Sequence, residues 1–235
     1  GVEMRFAPSA RVDFKDRDAV VGSYYAECEA LVKTATGARR VVAFDHNVRS
    51  TAGAGVESVG GTSVVQPPTA IVHGDYTSTS APRRVLQLSE APKLNDVASA
   101  KPRLDAAEAT DAVSDDGRFA IVNVWRPIKP VESAPLAFCD ARTADSADLL
   151  TFEIRYADRV GENYFARPNP KHDWLYFPDM RPDEAVLLKT WDSGVSWDAQ
   201  RNHHGALFVL HSAFMDPSSP ANAPPRESIE VRCAV

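Results

Sequence analysis

Apolar and polar positions along the chain change period as it proceeds. Between Asp16 and Thr36 the apolar residues Val20, Val21, Tyr24, Tyr25, Cys28, Leu31 and Val32 recur at intervals of three and four. That is the period of an amphipathic helix, and Gly37 follows as a C-cap. Leu86–Lys93 and Leu104–Val113 read as shorter helical pieces, with Asp105 placed to cap the second. Most of the remaining apolar segments are short and β-compatible. Strands are predicted at Arg39–Phe44, Thr69–His73, Phe119–Trp125, Phe152–Tyr156, around Tyr164 and Phe165, and at Asp173–Phe177, Ala185–Trp191, Ala206–His211 and Ser228–Arg232. In the best-defined of them Ala120, Val122 and Val124 share one face, and Phe119, Ile121, Asn123 and Trp125 the other.

Turn chemistry separates these segments: a Gly-, Ala- and Ser-rich loop out to Gly61, Gly161-Glu162-Asn163 as a hairpin link, and Arg167-Pro168-Asn169-Pro170. Gly1-Val2-Glu3, ahead of Met4, are set aside from the pattern. Many short strands, with helices concentrated in the first half, predict a mainly β fold with flanking helices. The expected architecture is an antiparallel double-sheet jelly roll (double-stranded β-helix) forming a single domain over 1–235. Such a fold offers a mouth between its sheets.

Composition narrows the partners. With 235 residues, 44% of them hydrophobic, the chain is long enough for one well-buried core. Its 26 basic and 32 acidic residues leave a net charge of −6, the wrong sign for a sequence-independent nucleic-acid binder, so small molecules are the expected partners. Cys28, Cys139 and Cys233 are widely separated, with no CxxC. Neither a disulfide framework nor a thiolate zinc site is indicated, and a reduced cytoplasm fits. No apolar run approaches the roughly 18 residues that span a bilayer, so no membrane association is expected.

Against this background His73 and Asp75 stand out. Residues i and i+2 of a strand face one side about 6 to 7 Å apart, so both can converge on one ion. A His followed two later by an acid is expected about once by chance here, with six His and 32 acidic residues in the chain. A third ligand must therefore support the pair. His211 closes an apolar strand run and is the best candidate, reachable if the two strands lie on facing sheets. The His203-His204 pair competes, but Asn202 and Gly205 around it suggest a turn. Two imidazoles and one carboxylate on one face leave open positions suited to Fe(II) and oxygen. Further on, Arg226 and Ser228 share a face of an extended segment and can together grip a carboxylate through a guanidinium fork and a hydroxyl. Arg126, Tyr76 and Trp174 are candidates for substrate contact.

The order HxD, distant His and RxS resembles the Fe(II)/2-oxoglutarate-dependent oxygenases. The phrases VHGDYTSTSAPRRV, NVWRPIKPV, PLAFCDARTADSADLL, HDWLYFPDM, DEAVLLKTWDS, HSAFMDP and PPRESIEVR are similar to those of the CmcJ/NvfI family of secondary-metabolism proteins. That family includes gibberellin desaturase-like and AsaB-like hydroxylase/desaturases. The resemblance runs from about Phe44 to Arg232. It implies a jelly roll holding iron through His73, Asp75 and His211, with the far carboxylate of 2-oxoglutarate on Arg226 and Ser228, or on Arg232 instead. Asn123 would reach the C1 carboxylate of the cosubstrate. The implied activity is hydroxylation, desaturation or oxidative cyclisation of a small secondary-metabolite precursor, with O2 consumed and 2-oxoglutarate decarboxylated to succinate. Two other classes are weighed: a jelly-roll binding protein without oxidation chemistry, and a metal-dependent hydrolase using the same three ligands. Neither needs a separate carboxylate clamp.

Overall fold

The computed structural model describes residues 1–10, 12–52, 65–92, 101–155, 157 and 160–235. In chain order the elements are β1 (Val2–Phe6), α1 (Arg17–Ala19), a wide π-helical turn (Val20–Tyr24), α2 (Tyr25–Thr36), β2 (Val42–Ser50), β3 (His73–Gly74), α3 (Ser80–Gln87), α4 (Ala106–Ala112), β4 (Ala120–Pro127), β5 (Leu136–Cys139), β6 (Leu149–Arg155), β7 (Val160–Ala166), β8 (Trp174–Tyr176), β9 (Glu184–Asp192), α5 (Trp197–Arg201), β10 (His211–Ala213) and β11 (Glu227–Ala234). Two short 3-10 turns lie between β5 and β6.

The strands form two antiparallel sheets, ordered β1-β9-β4-β11-β2 and β6-β7-β3-β10-β5-β8. This is the predicted jelly roll with helical support. α2 runs where the three-and-four spacing places it. Asp16 caps the entry through the backbone N–H groups of Asp18 and Ala19, and Gly37 ends the helix at a φ of 69°, the left-handed conformation that glycine adopts at little cost. Tyr24, Tyr25, Cys28 and Val32 are buried against Val122, Val124, Ile229, Val231 and Cys233 of the five-stranded sheet. The helix therefore covers the sheet's outer face. Its inner face turns toward the second sheet.

Several local expectations shift. The helix expected at Leu86–Lys93 lies at Ser80–Gln87 instead, and Lys93 is outside the described residues, as is the Gly-rich stretch at 53–64. α4 begins on Asp105 as expected, in a capping box with Glu108. Gly161-Glu162-Asn163 is not a turn but part of β7, paired residue for residue with β6. The link between them falls at 156–159, mostly outside the described residues. The residues set aside at the start form β1, an edge strand paired with β9 from Val2 to Phe6.

Ala206–Leu210 is buried but is not a strand. The Val209 N–H donates to the Lys189 carbonyl of β9, and the Leu210 carbonyl accepts from Cys139 of β5. The run therefore passes from one sheet to the other, and no ladder can form along it. Its apolar character reflects burial between the layers. It delivers His211 to the first position of β10.

Candidate active site

β3 and β10 are neighbours, and His73 and His211 are direct partners across that pair. The two histidines thus come together within one sheet rather than across facing sheets. Their rings lie 4.3 Å apart. Each Nδ1 faces the backbone carbonyl two residues earlier, Ile71 at 2.8 Å and Val209 at 3.1 Å. A carbonyl only accepts, so each Nδ1 carries a proton and each Nε2 is the atom left to face the cleft. Both Nε2 atoms face Asp75 Oδ1, at 3.5 and 3.7 Å. Three potential ligand atoms thus converge. One ligand atom from each of His73, Asp75 and His211 lies within 4.8 Å of the others, a set that could hold a metal ion.

Asp75 is held by its other oxygen. Oδ2 accepts a 2.7 Å bond from Asn123 Nδ2 and lies 3.5 Å from Arg232 Nε. Burial raises the Asp75 pKa, but Arg232, His211, His73 and the Asn123 hydrogen bond together outweigh it and hold the carboxyl well below its usual range. Burial, and then the neighbouring His211, bring His73 down to about 4, so its imidazole is neutral at physiological pH. A deprotonated carboxylate and two imidazoles aimed at one point are the protonation states a divalent ion requires.

The opposite wall comes from β11, where period-two alternation puts Arg226, Ser228, Glu230 and Arg232 on the inner face while Ile229, Val231 and Cys233 pack beneath α2. A cleft opens between the layers, lined by the three candidate ligands, by Arg49, Arg226, Glu230 and Arg232, and by Thr69, Trp125, Leu136 and Ala213. Arg226 is 2% exposed. Its guanidinium lies 5.6 Å from the Trp125 ring centre. Nη1 donates to the Ala134 carbonyl at 2.8 Å, and Nε is buried with no partner. Ala134 itself sits at a φ of 47°, a left-handed conformation costing about 1 to 2 kcal/mol for a residue with a Cβ. Burial, then the charge of Arg49, brings the Arg226 pKa down to about 10. Among the described residues no carboxylate contacts this cation, and Glu230 acts on it only from a distance.

Arg232 is in the opposite condition. It meets Asp45 at 3.1 Å, Glu230 at 3.0 Å and Asp75 at 3.5 Å. Burial disfavours its charge, but these carboxylates outweigh that and raise its pKa well above the usual value. Arg232, the alternative clamp, thus already carries three carboxylates on its guanidinium. Ser228 stays beside Arg226 on the inner face, 1% exposed. Asn123 donates one Nδ2 hydrogen to Asp75 and its Oδ1 accepts from Thr190; it is fully buried behind Asp75 and is not among the residues lining the cleft.

The substrate-side candidates do not meet in the cleft. Arg126 lies on the outer face of β4 with Val122 and Val124, donating to the Tyr24 hydroxyl and the Pro182 carbonyl. Tyr76 is packed in the core with Phe44, Phe208 and Leu210. Trp174 is 39% exposed on β8, an edge strand. His203 and His204 lie exposed in the turn after α5, with His203 at a φ of 66°. Arg49 and Glu230 were not anticipated. The polar alternation Asp45, Asn47, Arg49 was the available signal, because it continues the predicted strand with one polar face.

Two antiparallel sheets closing over a convergent His–Asp–His trio and a buried, anion-seeking arginine define the class of the Fe(II)/2-oxoglutarate-dependent oxygenases. Comparison with known proteins supplies the family. A model described as an oxidoreductase/YMDC permease-like domain (YDMC) matches residues 1–235. The alpha-ketoglutarate-dependent dioxygenase phiK of a fungal species is 31% identical over 97% of this chain and 74% of its own length. The hydroxylase/desaturase asaB of Aspergillus flavus is 33% identical over 70% of this chain and 72% of its own. The solved structure of the iron and alpha-ketoglutarate-dependent endoperoxidase NvfI matches with a TM-score of 0.79 at 28% identity, covering 100% of this chain and 78% of that one. The chain belongs to this hydroxylase/desaturase family and is an Fe(II)/2-oxoglutarate-dependent dioxygenase, acting on a small molecule with O2. The binding-protein and hydrolase readings find no support among these relatives. No helix among the described residues is long and apolar enough to cross a membrane.

Proposed function

We propose that His73, Asp75 and His211 hold Fe(II), that Arg226 with Ser228 grips the distal carboxylate of 2-oxoglutarate, and that the substrate is a small secondary-metabolite precursor. The observation that carries this reading is the unpartnered Nε of Arg226, buried in the same cleft as the three ligand atoms. A buried guanidinium missing a partner is costly by itself and becomes favourable once a carboxylate is seated on it. The donor set also fits the metal, since two imidazoles and one carboxylate leave open positions for a bidentate cosubstrate and oxygen.

When bound, iron supplies oxygen activation coupled to decarboxylation of 2-oxoglutarate to succinate. The protein's part is positional. The carbonyls of Ile71 and Val209 fix the tautomer and the plane of each imidazole. Asn123 and Arg232 occupy Asp75 Oδ2, leaving Oδ1 for the ion. Trp125, Leu136 and Ala213 give the cleft an apolar lining, which limits water and sets which carbon of the substrate faces the metal. Whether hydroxylation, desaturation or oxidative cyclisation follows depends on that placement.

Residues 1–235 are read as one domain, because both sheets contribute walls to the same cleft. Three free, buried cysteines support a reduced, cytoplasmic setting, and the net charge of −6 argues against nucleic-acid partners. The test is succinate formation by Fe(II)-loaded protein, screened in air against small amino acids, amino-acid-derived acids and terpenoid acids. At least one class should raise succinate above the substrate-free rate, with His73→Ala silent throughout. Protein that binds Fe(II) yet forms no succinate under any condition would overturn the reading.

A further inference from the structure

We infer that Arg49 is a further ligand of the cosubstrate's distal carboxylate, completing with Arg226 and Ser228 a three-point clamp assembled from two neighbouring strands. The inference rests on the assignment of this cleft to 2-oxoglutarate. Arg49 and Ser228 are direct partners across the β2–β11 pair, and directly opposed residues of an antiparallel pair carry their side chains on one face, about 5 Å apart at Cβ. Arg226 lies two positions before Ser228, so it shares that face, and its carbonyl still accepts from Thr51 as an extension of the ladder. Two guanidiniums and a hydroxyl thus surround one patch of the inner face. Arg49 and Ser228 lie within β2 and β11, and Arg226 sits one residue before β11 begins.

Glu230 acts favourably on both cations and Asp75 on Arg49, but only from a distance. Arg49 Nη1 donates to the Pro67 carbonyl at 2.9 Å, as Arg226 donates to that of Ala134. Among the described residues no carboxylate lies within 4.0 Å of either guanidinium. Glu230, the acid nearest in register, is already taken by Arg232 at 3.0 Å. Burial lowers the pKa of both arginines, and the charge of Arg49 adds to the lowering at Arg226. Two like charges held near one another in a cleft repel each other, and a carboxylate between them converts that repulsion into two charge-assisted contacts. The same cleft reaches His73 and Asp75. A dicarboxylate with one end at the metal therefore meets both arginines at the other.

The discriminating ligand is 2-oxobutyrate, which keeps the 2-oxo acid head of 2-oxoglutarate but lacks the distal carboxylate. Dissociation constants of both ligands are measured anaerobically on Fe(II)-loaded wild type and Arg49→Gln, from the visible charge-transfer band of the chelate. We expect Arg49→Gln to weaken 2-oxoglutarate about 10- to 100-fold, the scale of one charge-assisted contact. Binding of 2-oxobutyrate should change by less than about threefold, because the lost contact is specific to the distal carboxylate. An equal loss for both ligands, or no loss for 2-oxoglutarate, overturns the inference. If Arg49→Gln does not fold, Arg49→Lys keeps the charge and loses the fork. Its loss should be smaller but selective in the same sense, and an unselective loss overturns the inference equally. A wild type that shows no band with either ligand refutes the underlying assignment of the cleft, whereas a wild-type band with unselective variants refutes only the role of Arg49.

Discussion

Two arginines on opposite faces of the five-stranded sheet look alike by every simple measure. Arg126 is 3% exposed and Arg226 2%, and each guanidinium lies 5.6 Å from an aromatic ring centre, Tyr24 for one and Trp125 for the other. Their hydrogen bonding separates them. Beneath the helical layer Arg126 finds the Tyr24 hydroxyl at 2.8 Å and the Pro182 carbonyl at 2.7 Å, both from the protein itself. In the cleft Arg226 finds one carbonyl and leaves Nε without a partner. One face of the sheet is a finished interior. The other holds a buried cation with an unspent donor beside a cleft. Charge and burial alone do not separate the two; the unspent donor does.

Breaking the cleft face has the larger consequences. His73→Ala or Asp75→Ala should abolish both iron retention and succinate formation, checked by metal analysis and a turnover assay on the same preparations. Arg226→Ala should raise the 2-oxoglutarate KM by about 10- to 100-fold with kcat largely kept, as expected for loss of a contact made before chemistry. If Arg232→Ala does this and Arg226→Ala does not, the clamp is misassigned. Asn123→Ala frees one oxygen of Asp75 and should weaken Fe(II) binding about 10- to 100-fold, the usual effect of removing a partner behind a ligand, read by competition with a chelator. On the covered face, Arg126→Met should leave 2-oxoglutarate affinity unchanged. It should lower folding stability by about 1 to 3 kcal/mol, because it strands the Tyr24 hydroxyl and the Pro182 carbonyl in a buried setting, measured by urea denaturation.

Much of this contrast was legible in the residues. The period-two reading of Phe119–Trp125 already separates Asn123 and Trp125 from Val122 and Val124. Extended by one step, it puts Arg126 on the covered face, away from substrate. The His73–Asp75 pair and His211 were readable because ligand chemistry restricts residue types. Their meeting as direct partners in one sheet was not, since β3 is two residues long and its pairing is set by β7 and β10 from distant parts of the chain. The strand predicted at Ala206–His211 fails for a related reason: an apolar run reports burial, and burial between two sheets needs no ladder. In sequence Arg226 is the expected clamp and Arg232 its alternative. The three carboxylates folded onto Arg232 are a difference between them that only the structure supplies.

The central claim is that the cleft face is built for a metal and a dicarboxylate together. Its most direct test is anaerobic addition of Fe(II) and then 2-oxoglutarate to the wild-type protein, following the weak visible charge-transfer band of the chelate. The account predicts a saturable band that needs both components and is lost in His73→Ala. Iron-loaded protein that shows no band at any 2-oxoglutarate concentration would contradict it.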